Sequence, residues 1–224
     1  MLGPMLIAEE LFLLLRRDDG RPESVMAQRG YGLAAAVITD LVVAERITLS
    51  EDKDPRLTVL VPGPVGHPAL DAAMVRLEKK DGKKLSSLVT DGKIAAEREL
   101  AAGLRAAGVI EVEEKRALGL VPEKYPVRDP EPERRVRERL RTVLLGGTPT
   151  PADASLLSIL QGLEIAPKVL EEERGTLGKK ELKQRIEVVS TDVVAGEAVA
   201  KAVAAMNAAL ITAVFVPVVA SGSS

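Results

Sequence analysis

Five arginines crowd the stretch from Glu133 to Leu145. Arg134, Arg137 and Arg141 recur at i, i+3 and i+7, so a helix carries them on one side, with Arg135 and Arg139 on a neighbouring side. Guanidiniums arrayed this way suit phosphate or anionic lipid, at about 1 kcal/mol per basic residue near an anionic membrane. Glu131, Glu133 and Glu138 stand at helical spacing from the same arginines, so a solvated face of intrahelical ion pairs is the competing reading. Arg98 and Arg105 lie seven apart on the helix expected after Asp91, and Arg29 lies in a loop before the second expected helix. These three are the remaining candidates for a phosphate site, with ion pairing to nearby acids as the alternative.

A further constellation lies between Arg116 and Tyr125. Leu118, Leu120 and Val121, flanked by Arg116 and Lys124, read as one arm of a β-hairpin. Apolar residues rimmed by basic ones suit an anionic interface or self-association, and an ordinary hairpin folded onto the domain is the other reading.

Other chemistry is poorly supplied. With no Cys and one His, the chain has no disulfides, thiol catalysis, zinc fingers or His-rich metal sites. His67, before Pro68, fits a helix N-cap or loop position better than a general base. Ser86, Ser87, Ser155 and Ser158 lack a nucleophile-elbow context. Gly146-Gly147-Thr148 is not followed by the Gly-Lys-Ser/Thr of a P-loop. Glu171-Glu172-Glu173 reads as a solvated acid run rather than a metal site. No acid, base and nucleophile can be assembled, so neither an enzyme nor a metal or cofactor is expected.

Composition agrees. The 224 residues carry 31 Lys and Arg against 33 Asp and Glu, a net charge of −2 that does not predict a nucleic-acid partner. Aromatics are only 2%, which argues against base-stacking platforms and leaves the core to Leu, Val, Ile and Ala. Such a core suits packed helices. The start of the chain is apolar but broken by Glu9-Glu10, and reads as an amphipathic helix rather than a signal peptide. The uncharged run from Ala202 to Ala220 is Ala-rich and carries Asn207 and Pro217, so a buried helix is expected over a membrane anchor.

These pieces predict a mainly helical, all-α single domain over residues 1–220, with one or two small β-hairpins and a disordered tail over 221–224. Helices are expected at Met5–Leu15, Gly32–Val43, from His67-Pro68 to about Glu78, from Thr90 or Asp91 to Ala107, at Glu133–Leu145, Asp153–Leu163, Ala166–Glu173 and Lys179–Ser190, and from Asp192 to about Val216. Ile47–Leu49 and Leu57–Val61, around Glu51-Asp52-Lys53-Asp54-Pro55, predict a first hairpin. Val109–Val112 reads as a strand.

The order of these pieces carries a resemblance. Glu9-Glu10-Leu11-Phe12-Leu13-Leu14-Leu15 leads to Asp19-Gly20. Gly32-Leu33 and Asp40-Leu41 lead to Glu45-Arg46-Ile47-Thr48-Leu49. Glu97-Arg98-Glu99-Leu100, Gly108-Val109-Ile110 and Tyr125-Pro126 follow. From about residue 5 to 216 the chain resembles the Golgi phosphoprotein 3 family, and its composition looks like that of a bacterial member.

The resemblance implies a mostly helical domain with a protruding hairpin. Eukaryotic members are peripheral membrane proteins that bind phosphatidylinositol 4-phosphate and link glycosyltransferases to coat proteins through a basic N-terminal tail. Their hairpin helps them oligomerise and touch the membrane. The family's lipid pocket uses a Trp and three Arg, which align with Val25, Ala34, Ile94 and Glu97, and none matches; a register shift of one offers Arg98. The tail has no counterpart before the first helix, so coat binding and enzyme retention are not expected. The hairpin carries over in outline. Two functions follow as expectations. One is a non-enzymatic cytoplasmic protein, peripheral on the inner membrane face, that binds anionic phospholipid or phosphoinositide and forms a homo-oligomer through the hairpin. The other is a soluble cytoplasmic adaptor or self-assembling scaffold that has lost the lipid site.

Overall fold

The computed structural model describes residues 5–17, 20, 26–113, 124–191 and 204–212. Helices α1 (Ile7–Leu14) and α2 (Met26–Val43) are followed by strands β1 (Ile47–Leu49) and β2 (Leu57–Val59). Then come α3 (Pro68–Glu78), α4 (Leu85–Val89), α5 (Glu97–Ala106), α6 (Glu131–Leu144), α7 (Pro151–Gly162), α8 (Ala166–Val169) and α9 (Lys179–Thr191). A further helix, α10, covers 204–212. The protein is mainly helical with a small two-stranded sheet.

The centre is α2, which packs against α1, α3, α4 and α7. Leu33 to Ile38 and Leu41 are fully buried and apolar, so this stretch of the helix is apolar nearly all round, as a central helix must be. It starts well before the expected Gly32. Gly30 therefore lies inside the helix and not in the expected loop, and at Gly32 a Cβ would stand 2.8 Å from Leu163 Cδ1. The missing side chain is what lets α2 seat against α7, and that packing outweighs the helix cost of glycine, about 1 kcal/mol.

Side chains from one element close the ends of others. Asp40 of α2 accepts hydrogen bonds from the N–H groups of Ile7 and Ala8, at 2.9 and 3.0 Å, and so caps α1. His67 Nδ1 accepts from Ala69 N at 3.3 Å and caps α3. Thr150 and Asp153 form a capping box on α7. The first hairpin pairs Ile47 with Val59, Thr48 with Thr58 and Leu49 with Leu57.

Other expected boundaries move, and the helix expected over Ala166–Glu173 ends at Val169, where the chain passes into turns. Thr90 does not open a helix; its hydroxyl donates back to the Ser87 carbonyl at 3.0 Å and ends α4. The chain then turns through Asp91 to Ala95, and Ala96, at φ 45°, starts α5 at Glu97. The expected strand at Val109–Val112 contributes isolated bridges, Ile110 with Val127 and Glu113 with Lys124, rather than a named strand. Those bridges are the base of the second hairpin. The tail expected over 221–224 and most of the last expected helix lie outside the described residues. Among the described residues, no helix is long and apolar enough to cross a membrane.

Candidate functional site

Two of the sequence candidates come together. Arg98 and Arg105, both exposed on α5, line one groove with Ala101, Ala102, Ala106, Val112 and Tyr125, with a cavity volume of about 580 Å³. Val112 and Tyr125 belong to the base of the second hairpin, so α5 forms the floor and the hairpin base a wall. None of these lining residues is acidic, and among the described residues neither arginine is in an ion pair. The two side chains flank a floor of alanine.

Behind the Tyr125 wall stands a buried cation. Arg16, at the end of α1, places its guanidinium 4.0 Å from the Phe12 ring centre and 4.3 Å from that of Tyr125. The two rings meet edge to face at 5.5 Å. Arg16 Nη2 donates to Glu97 Oε1 at 2.5 Å, and Arg29 Nε lies 3.2 Å from the same oxygen. Arg16 and Arg29 are both buried, and the Nε of each lacks a hydrogen-bond partner. Burial lowers the Arg16 pKa, Glu97 pulls it back up, and Arg29 lowers it further. Among the described residues, two guanidiniums thus share one carboxylate where α1, α2 and α5 meet.

The arginines of α6 are largely spent on carboxylates. Arg134 pairs with Glu131 and Glu138, and Arg135 with Glu131, all on the same helix. Arg137 reaches Glu133 at 2.8 Å and Glu173 at 3.1 Å. Burial lowers the Arg137 pKa, but these two acids more than offset it. Arg139 binds Glu10 of α1 and Asp153 of α7, tying three helices together. Arg141 is exposed and, among the described residues, has no ion pair.

The α6 arginines line two grooves of mixed charge. One, about 290 Å³, is lined by Arg134, Arg137 and Arg141 with Glu133, Glu138 and Glu172 among others. The second, about 390 Å³, shares Glu133, Arg137 and Glu172 with it and adds Arg16, Arg17 and Lys168. Arg16 lines this second groove, and its stacking partner Tyr125 lines the α5 groove. The three grooves therefore abut, with the Arg16–Tyr125 stack as the partition between α5 and α6.

The remaining candidates fall as follows. Arg29 is directed at Glu97. Arg116, Leu118, Leu120 and Val121 lie outside the described residues, as does Val25. Lys124 is half-buried at the hairpin base, and its backbone pairs with Glu113. Ala34 and Ile94 are fully buried in the core. Glu173, from the expected solvated acid run, is instead buried beneath Arg137. Sequence reasoning passed over Arg16 and the pairing of Glu10, and read Arg139 only as part of a cationic helix face, because their partners lie far away in the chain. Charged residues inside the apolar periodicity of α1 are the signal for Glu10. Among the described residues no group of three His, Cys, Asp or Glu could hold a metal ion.

A family model, Golgi phosphoprotein 3 (GPP34), matches residues 7–206. No curated protein matches the chain.

Proposed function

Because the chain belongs to the Golgi phosphoprotein 3 family, we propose that it is a non-enzymatic peripheral membrane protein that binds anionic lipid headgroups. The α5 groove and the second hairpin face the lipid in this reading, at the inner membrane face of the cell. One observation carries it: Arg98 and Arg105 flank a groove that has an apolar floor and no acid in its lining. Elsewhere on the described surface, at α6, arginines are mostly neutralised by their own glutamates. Unpaired guanidiniums over alanine suit a phosphate-bearing interface, where charge attracts and shallow apolar contact adds. Val112 and Tyr125 at the hairpin base line the same groove, and in this reading the segment between Glu113 and Lys124 supplies membrane contact or self-association.

A second reading has its own observation. At the positions aligned with the family's lipid pocket, Ala34 and Ile94 are buried and Glu97 holds Arg16 and Arg29. Two of the three aligned arginine positions are thus buried and apolar and the third is an acid held in an internal ion pair, which favours an adaptor or self-assembling scaffold without specific phosphoinositide recognition.

Flotation with liposomes separates the two. Neutral, generically anionic and phosphatidylinositol 4-phosphate-doped vesicles are compared at low and physiological salt. Anionic-lipid binding predicts flotation with anionic vesicles that weakens as the Debye length shortens to about 8 Å. Stronger flotation with the doped vesicles than with others of equal charge would add phosphoinositide specificity. No flotation under any condition would sink the membrane reading and leave the scaffold.

A further inference from the structure

We propose that the α5 groove selects a lipid carrying two phosphates joined through a glycerol bridge, of the cardiolipin type, over lipids carrying one phosphate. The inference rests on the membrane reading above and narrows it to a ligand class. Arg98 and Arg105 bracket the groove along α5. Seven residues at about 1.5 Å per residue separate their backbones by about 10.5 Å along the helix axis. Between them lie Ala101 and Ala102, with Ala106, Val112 and Tyr125 completing the lining, and no charged group intervenes.

Each guanidinium forks naturally onto one phosphate. Two forks spaced this way are poorly served by a single phosphate, because engaging one arginine leaves the other facing water. A bis-phosphate lipid gives each arginine its own anion. Its uncharged bridge and first acyl carbons then rest on the alanine floor, where larger side chains would hold them off. Among the described residues neither arginine is paired with a carboxylate that it must first give up.

The test uses the whole protein and phosphatidylcholine vesicles doped with cardiolipin or with phosphatidylglycerol at matched net charge, at physiological salt. Partitioning is measured by sedimentation. The expected result is a preference for cardiolipin of about fivefold, the worth of one additional arginine–phosphate contact at a membrane surface. Arg98→Gln and Arg105→Gln should each bring the ratio to unity, while Lys180→Gln on α9 keeps it. Thermal unfolding checks that each variant is folded. Equal partitioning onto both anionic vesicles overturns the inference and leaves the membrane reading standing. A cardiolipin preference that survives in the double variant overturns it too, by placing the selectivity elsewhere. Absence of partitioning onto every anionic vesicle overturns both.

Discussion

Arg16 and Glu97, 81 residues apart in the chain, meet in a hydrogen bond that ties the end of α1 to the first turn of α5. Arg29 shares the same carboxylate oxygen. Glu97→Gln therefore strips two buried guanidiniums of their counter-charge at once. Breaking a fully buried pair costs about 3–5 kcal/mol, and partial exposure of Glu97 reduces that to about 2–3 kcal/mol here. Urea unfolding measures it. If the cost is electrostatic, Arg29→Met in the Glu97→Gln background restores part of the loss, as a double-mutant cycle reads directly. A Glu97→Gln protein with unchanged stability would mean that water already carries these charges.

Gly20 holds the hairpin base against the end of α1. Its φ is +75°, and a Cβ there would stand 2.5 Å from Pro126 N and from the Tyr125 carbonyl carbon. Backbone atoms cannot swing aside as a side-chain end can. Gly20→Ala combines a left-handed conformation, costing about 1–2 kcal/mol, with that clash. The variant should be destabilised in urea and should also loosen Tyr125, seen as faster amide exchange at Glu111 and Glu113, which donate to Pro126 and Lys124. Unchanged exchange would show that the hairpin base does not lean on Gly20.

Elements held by local pattern were legible in the sequence, and contacts between distant elements were not. The apolar spacing of Ile7, Leu11 and Leu14 gives α1, and turn residues between Ile47–Leu49 and Leu57–Val59 give the hairpin. Arg98 and Arg105 were legible as one face because they share a helix. Their lack of acid partners was not, since Glu97 and Glu99 stand beside them in sequence. Glu97 turns instead to Arg16 and Arg29, a choice made by the packing of α1 on α5 and by the reach of Arg29 from α2. Likewise Arg139 looks like its neighbours on α6, yet it alone reaches both α1 and α7.

That difference among the α6 arginines can be measured. Arg139→Met leaves Glu10 and Asp153, both buried, without a cation. Burial already raises the Glu10 pKa against the pull of Arg139, and losing Arg139 raises it further. The expected loss is about 3 kcal/mol, the low end for an uncompensated buried charge because the arginine is partly exposed. Arg135→Gln removes an exposed pair with Glu131 and should leave the urea midpoint unchanged within error. Equal effects of the two substitutions would refute the distinction between an inter-helix tie and a solvated pair.

Asp40 links stability to pH. It is buried behind α1, and burial pushes its pKa from 3.8 to about 7, against the lowering effect of the Ala8 and Ile7 N–H groups and with a further rise from Glu9 and Glu10. A carboxyl with a raised folded-state pKa holds its proton in the folded protein at pH values where the unfolded chain has lost it. Its contribution to stability is complete below the unfolded value of 3.8 and is lost as pH climbs through about 7. Asp40→Asn removes the titration while keeping one acceptor for the α1 cap. The stability difference, wild type minus variant, should therefore fall across that window and level off above it. Urea midpoints taken at intervals from acid to mildly alkaline pH give the profile. A difference that rises with pH would mean that the capping hydrogen bonds outweigh burial, and that Asp40 is ionised in the folded protein throughout.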